Sequence, residues 1–456
     1  MTLKPALTPP MGWNSWDCYG TTVTEEEVLA NARFMAEHLA PFGWDIIVID
    51  ADWSDPGARS HGYNEEAALH IDEFGRLVPD PVRFPSAADG AGFGPLAAEI
   101  HALGLRFGIH IMRGIPRRAV AANSPILGSD ARAADVADPG NRCEWNPHYL
   151  GLDHSRPGAQ AYYDSLAALY AQWGVDFVKA DDLLWPYQRA DIESFSGALR
   201  RSLHDFQLSL SPGRDMSLAR LDGLRETATM WRVCDDVWDR WSDVVDNFAR
   251  FARWAPHASD KGWPDGDMLP LGRIGIRAER GEPRQDGFTP AERVSLMSLW
   301  VIARSPLMIG GDLPTSDPGT IALFTNPEAM EILRSSSNNR ELAREGAFVF
   351  WGADGADGVR YAAVFHLGES AVDVALDAQA LGLPASGGEV RELWSGADVP
   401  LEPIGVQSDA ARGVAPGSSA LRLSLEPHGA ALLRFTPVAD RPRQILFANP
   451  RDTQRQ

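Results

Sequence analysis

Two short segments carry most of the chemistry this chain could do: Asp176-Phe-Val-Lys-Ala-Asp-Asp182 and Trp231-Arg-Val-Cys-Asp-Asp236. Each runs from an apolar strand into a cluster of carboxylate and cation. A parallel strand buried on both faces should read as an apolar run, so charge at its C-terminal end calls for a reason beyond folding. Lys179 and Asp181 are two apart on one strand, so their side chains point to the same side, while Asp182 points the other way. Arg232 and Asp236 are four apart, where a strand becomes a loop. A single site of this kind is as readily an ordinary strand-end ion pair. Two of them on alternating β/α units favour catalysis, because barrel enzymes draw their reacting groups from the ends of several strands.

The elements that would position these groups are legible in the hydrophobic pattern. Tyr162, Leu166, Leu169, Tyr170 and Trp173 recur at helical spacing, and Gly174 ends that helix just before the first charged strand. Candidate strands lie at 11–14, 45–50, 106–111, 177–181, 207–211, 228–232, 267–269 and 307–310. Most are followed by helical patterns, some visibly capped: Thr24 with Glu27, and Thr289-Pro-Ala-Glu292. Eight β/α units over about 325 residues suit a (β/α)8 TIM barrel with insertions. The long stretches 55–92 and 116–148, rich in Gly, Pro, Asp and Arg, follow strands two and three and would roof the active face. Beyond residues 335–339 the character changes to short apolar runs separated by Gly, Pro, Asp and Ser, the pattern of an antiparallel β-sandwich. The expected organisation is therefore a catalytic barrel over 1–335, a β-sandwich over 336–438 and a polar tail over 439–456.

Composition narrows the partners. The 456 residues are 44% hydrophobic and 23% charged, ordinary for a globular protein, and 42 basic against 62 acidic residues give a net charge of −20. That balance argues against nucleic acid and anionic membrane as partners. No stretch approaches the roughly 18 apolar residues of a membrane span, and the N-terminus has no apolar core of a signal peptide. The chain is thus expected to be cytoplasmic unless a leader was removed before residue 1. Cys18, Cys143 and Cys234 have no metal-ligand spacing and cannot all pair, which suggests reduced, partly buried thiols.

Glycoside hydrolysis with retention needs two carboxyls, one a nucleophile and one an acid that later becomes a base. Asp181 suits the nucleophile, because Lys179 beside it favours the ionised form. Asp236, on a loop that water and a leaving group can reach, suits the acid/base. Arg232 can hold a sugar hydroxyl or orient a carboxylate with its fork of donors. Neither a metal nor an organic cofactor is required.

Thr8-Pro-Pro-Met-Gly-Trp-Asn-Ser-Trp16, the Lys179-x-Asp181 pair, Trp231-Arg232 with Asp236, and Gly262-Trp-Pro-Asp-Gly-Asp-Met-Leu269 together resemble glycoside hydrolase family 27, as does Ser305-Pro-Leu-Met-Ile-Gly-Gly-Asp-Leu313. This is the family of α-galactosidases and α-N-acetylgalactosaminidases. The resemblance spans the barrel in order and implies Asp181 as nucleophile and Asp236 as acid/base. It implies Trp16, Asp50, Lys179, Arg232 and Asp267 around the sugar.

Four departures bear on substrate. Ile49-Asp-Ala-Asp-Trp53 has Ala51 where the family usually has a second aspartate near the sugar's carbon four, and Asp52 is a shifted substitute. Asp182-Leu183 stands where a cysteine is usual. Strand three places His110 and Arg113 toward the pocket, Arg113 otherwise being a partner for Asp50. Ser209-Leu-Ser211-Pro-Gly replaces the loop that reads the carbon-two substituent in the animal enzymes, with Ser211 the candidate contact. The expectation is a retaining, exo-acting hydrolase of terminal α-galactosides. The alternatives are the same mechanism on an isomalto-type α-glucoside or a β-L-arabinopyranoside, and a sugar-binding protein without turnover. The partner is a glycoside or oligosaccharide, and homo-oligomerisation is left open.

Overall fold

A computed structural model describes residues 3–384, 387–403 and 419–438; the expected tail at 439–456 lies outside the described residues. Eight short strands form one parallel sheet: β1 (Met11–Asn14), β2 (Ile46–Ile49), β3 (Arg106–Met112), β4 (Phe177–Asp181), β5 (Gln207–Leu210), β6 (Met230–Arg232), β7 (Trp263–Asp265) and β8 (Leu307–Ile309). Their order is β7-β6-β5-β4-β3-β2-β1-β8. The two edges are joined through Leu269, whose N–H donates to Met308 O at 2.8 Å and whose carbonyl accepts from Gly310 N–H at 2.9 Å. Ile46-Ile-Val-Ile49 is buried throughout, as a strand covered on both faces must be.

The seventh strand is a correction. It was expected at 267–269, yet the ladder with β6 uses Trp263, Pro264 and Asp265. Pro264 has no N–H to give, which argues against a central strand. β7 has a strand ladder on one side only, so the missing donor faces the gap that Leu269 bridges.

The helices follow their caps. α1 (Glu25–Phe34) opens on the Thr24/Glu27 capping box, α2 is Gly94–Ala102, and α3 (Pro157–Trp173) ends on Gly174 at φ 76°. α4 (Arg189–Arg201), α5 (Leu221–Thr227) and α6 (Trp241–Trp254) continue the ring. α7 (Pro290–Ala303) opens on the Thr289/Glu292 box. The loop after β3 holds more structure than its composition suggests: helical turns at Arg117–Ala122 and Ala133–Val136, and a small antiparallel patch of Ile115–Pro116, Tyr149–Leu152 and Ala137–Asp138.

The C-terminal strands are β9 (Ser337–Glu345), β10 (Phe348–Asp354), β11 (Arg360–His366), β12 (Val372–Asp377), β13 (Gly388–Glu392), β14 (Asp398–Val399), β15 (Leu401–Pro403), β16 (Ser419–Leu425) and β17 (Ala430–Pro437). They form a six-stranded sheet, β9-β10-β11-β17-β13-β14, and a three-stranded sheet, β12-β16-β15. The apolar residues between the two sheets, among them Val364, Leu381, Leu421 and Leu433, make a core of their own. The outer side of the larger sheet packs on the barrel. Phe365 meets Phe248 of α6 edge-on at 4.9 Å, and Trp394 Nε1 donates to Ser298 Oγ of α7 at 2.8 Å. α7 is therefore covered from both sides, and an unbroken run from Ser295 to Ala303 is buried. All three cysteines are buried, Cys143 the least so, and none is paired.

Close approach of β1 to β2 fixes Gly12. A methyl there would lie 2.5 Å from Ile46 O and 2.7 Å from Ile46 Cβ. Gly12→Ala is expected to destabilise the protein by about 1–3 kcal/mol, read as a lower denaturant midpoint at unchanged slope. A midpoint equal to that of the wild type would show that the two strands can part freely.

Candidate active site

Period two along β4 turns Lys179 and Asp181 into the barrel mouth while Val178 and Ala180 are buried in the surrounding core. Lys179 Nζ donates to Asp50 Oδ2 at 2.7 Å. The same oxygen accepts from Asn14 Nδ2 at 2.7 Å, and Asp50 Oδ1 accepts from Ala51 N–H at 2.8 Å. Ser15 Oγ accepts from Asp50 N–H at 2.9 Å, and Asn14 Oδ1 from Trp16 N–H at 2.9 Å. The ends of β1, β2 and β4 are thus tied into one polar cluster around a single ammonium.

Asp181 receives two contacts. Oδ1 accepts from Asp182 N–H at 2.8 Å, and His110 Nε2 lies 3.1 Å from Oδ2. Burial alone would raise its pKa, yet the His110 contact, the Lys179 charge and the Asp182 amide outweigh it and hold the carboxyl well below its usual range. Burial opposes the charge on Lys179 too, but Asp50 and Asp181 together keep it firmly protonated. Asp182, at φ 59°, turns away, and its carboxylate lies 2.8 Å from Arg113 Nε. Arg113 therefore pairs with Asp182, where Asp50 was the partner considered.

The second segment centres on Arg232. Its Nη2 donates to Asp236 Oδ1 at 2.8 Å and its Nη1 lies 2.7 Å from Asp267 Oδ1. The guanidinium and Asp267 are buried, whereas the Asp236 side chain is 45% exposed. Asp267 Oδ2 accepts from Val237 N–H at 2.7 Å, which holds the loop bearing Asp236. Burial pushes Asp267 up to about 6 despite Arg232, and burial likewise pushes neighbouring Asp265 up to about 7.

A cavity of ≈ 770 Å³ opens above these groups. Trp16, Asp50, Arg113, Lys179, Asp181 and Asp236 line it. Five expected contacts sit lower. Ser211, Arg232 and Asp267 line a gap of ≈ 20 Å³ inside the barrel, and His110 lies behind Asp181. Asp52, at φ 61°, is buried and does not line the cavity. Tyr63 and Trp145 from the roofing loops and Trp185 from the loop after β4 line it as well, without having been anticipated. They lie in stretches with no periodicity, where the only cue is a large aromatic among Gly, Pro and Asp.

A pair of carboxylates converging on one pocket at the C-terminal end of a parallel barrel, with a buried lysine and arginine holding them, has the layout of a glycoside hydrolase. The family model described as alpha galactosidase A matches residues 150–334, and that of the alpha galactosidase C-terminal beta sandwich domain matches 345–435. A GH27 β-L-arabinopyranosidase from Geobacillus stearothermophilus has a structure that is 43% identical at a TM-score of 0.89, with 96% of this chain and 98% of that chain covered. Alpha-galactosidase 2 of Arabidopsis thaliana is 25% identical, covering 85% of this chain and 83% of its own. Alpha-N-acetylgalactosaminidase of Gallus gallus is 27% identical over 75% of each. The chain belongs to glycoside hydrolase family 27, and it is a glycoside hydrolase.

Asp52 has a consequence for stability. Neither of its carboxylate oxygens has a hydrogen-bond partner, and burial, reinforced by Asp55, pushes its pKa up to about 7 from 3.8. Between those values the folded chain holds a proton that the unfolded chain has released, so this carboxyl costs stability increasingly as pH rises through that window. Asp52→Asn is expected to raise the melting temperature more at pH 8 than at pH 5, by the equivalent of about 1–3 kcal/mol at the higher pH. An equal shift at both pH values would mean that Asp52 is ionised across the range.

Proposed function

We propose that this chain is a retaining, exo-acting hydrolase of terminal α-galactosides, with Asp181 as nucleophile and Asp236 as acid/base. The observation that carries the reading is the contrast between the two carboxylates. Asp181 is fixed at the cavity floor and kept ionised by His110 and Lys179, while Asp236 stands at the half-open rim on the tether of Arg232. In the first step an Asp181 oxygen attacks the anomeric carbon as Asp236 passes its proton to the leaving oxygen. In the second, Asp236 takes a proton from water, which breaks the ester and releases the sugar with its configuration retained. Asp50, Lys179 and Trp16 supply hydrogen bonds and an apolar face to the ring.

A second reading, the β-L-arabinopyranoside, is favoured by Ala51 and by the similarity to the Geobacillus β-L-arabinopyranosidase. The two sugars share their ring configuration and differ by the hydroxymethyl group on carbon five, so one arrangement of catalytic groups serves both. A panel of 4-nitrophenyl glycosides with kcat/KM for each decides between them, and faster turnover of the arabinopyranoside would displace the first reading.

Asp181→Ala is expected to abolish nearly all turnover in a folded protein, with partial rescue by azide. Asp236→Asn should harm poor leaving groups more than activated aryl glycosides, which need less proton assistance. Near-native hydrolysis by the first variant, or equal loss on both substrate classes by the second, would remove these assignments.

Ala51 is buried in the same apolar cluster as Trp16 and directly follows Asp50, which lines the cavity, so a carboxylate there is the change to test. Ala51→Asp is expected to raise the α-galactoside to α-glucoside ratio, two sugars that differ at carbon four, about ten- to a hundredfold, the scale of one charged hydrogen bond. A ratio that stays the same or falls would show that position 51 does not read the substrate.

A further inference from the structure

Asp236 lies in the short loop between β6 and α6, and that loop is anchored at both ends. On the β6 side Arg232 and Asp267 hold it from inside the barrel. On the other side the chain passes Asp239 and reaches Trp241, the first residue of α6. Asp239 accepts from Arg284 Nε at 2.8 Å, from Arg284 Nη2 at 2.6 Å and from Gly287 N–H at 2.8 Å, all on the segment that leads into α7. The last anchor comes from the other domain. His428, in the turn between β16 and β17, lays its ring flat on the Trp241 indole, with centroids 4.5 Å apart and planes at 14°. Its Nδ1 is 2.7 Å from Glu292 Oε1, while Glu292 Oε2 accepts from Thr289 N–H to cap α7. Its Nε2 is 3.2 Å from Glu369 Oε1, in the turn between β11 and β12. The backbone at His428 is left-handed, at φ 58°, which costs most side chains energy. A turn that only joined two strands would be better served there by glycine or asparagine. The imidazole is what neither could supply, and two of its three contacts are on the barrel.

We propose that His428 is a positioning residue for the acid/base: through Trp241 the β-sandwich fixes the start of α6, and with it the trailing end of the loop that carries Asp236. This rests on the glycosidase reading above and gives the second domain a part in the reaction. The Asp236 side chain is half-exposed and tethered by Arg232 on one side, so its place over the leaving oxygen depends on where the far end of the loop is held. Proton transfer works only within hydrogen-bond reach, and a small displacement of the acid is therefore felt in the rate. The same contacts reach the cavity wall. The Arg280 guanidinium lies 5.5 Å over the ring of Trp238, and Arg280 lines the cavity together with Asp236.

The test compares the phenyl and dinitrophenyl glycosides of whichever sugar the 4-nitrophenyl panel shows to be turned over. The first depends on the proton from Asp236, and the second scarcely does. His428→Asn suits the left-handed turn and removes the ring. It is expected to lower kcat/KM for the phenyl glycoside about three- to tenfold, while the dinitrophenyl glycoside changes by less than about twofold. Trp241→Leu should shift the ratio the same way, and Trp241→Phe, which keeps an aromatic face for the imidazole, should restore most of it. A His428 that served only to join the domains would lower the melting temperature and reduce both rates alike. Equal losses on the two substrates, or an unchanged ratio in His428→Asn, would therefore overturn the positioning role. If His428→Asn fails to fold, an unchanged ratio in Trp241→Leu overturns it alone. A wild-type protein that turns over no glycoside in the panel would overturn the underlying reading instead, an outcome separate from an unchanged ratio.

Discussion

The buried ammonium of Lys179 is the constraint on which the rest of the site depends. It pairs with Asp50 at 2.7 Å in a part of the barrel that water scarcely enters. A lone charge there would cost several kcal/mol, so its partners have to be in place before the barrel is stable. Those partners sit on different strands: Asn14 at the end of β1, Asp50 after β2, and Lys179 and Asp181 on β4. Pinning one cation therefore pins the ends of three strands. Asp181 shares that ammonium's surroundings, although it is held in its ionised form first by His110 and only then by Lys179.

The same logic explains why this site is visible in a sequence while its surroundings are not. Charged residues at the end of an apolar run break the pattern that burial imposes, and Lys179, Asp181, Arg232 and Asp236 all do so. Strands with clean apolar runs, such as Ile46–Ile49, are legible for the same reason. β7 was expected at 267–269 and lies at Trp263–Asp265, where only the one-sided ladder with β6 makes Pro264 acceptable. Asp52 was expected to stand in for a missing carboxylate near the sugar. A positive φ at that residue, which no local pattern announces, takes it out of the cavity.

The roofing loops were legible as loops but not as chemistry. Tyr63 and Trp145 in those loops, and Trp185 in the loop after β4, lie where neither period two nor period 3.6 applies, so nothing along the chain distinguishes a pocket aromatic from one filling the core. Trp53 shows the difficulty. It sits in the same loop as Tyr63, yet it is buried, donates to His110 O at 2.8 Å, and packs edge-on against Phe93 and Trp173. Only the three-dimensional path of the loop separates the two roles.

Acidic groups outnumber cations around the barrel mouth. Asp17, Asp50, Asp52, Asp181, Asp265 and Asp267 are set against Lys179 and Arg232. Left fully ionised, so many carboxylates would repel one another, and the chain relieves this by burial. Asp17 is pushed well up by burial first and Asp267 second, and Asp52 and Asp265 are each pushed up to about 7. Asp50 and Asp181 are held low instead, because against burial each has Lys179 and His110 beside it. The carboxylates held most firmly in their ionised form are thus Asp50 and Asp181. That is where an oxocarbenium-like transition state would develop its positive charge, so the arrangement that stabilises Lys179 in the folded chain would also favour that charge over a neutral ground state.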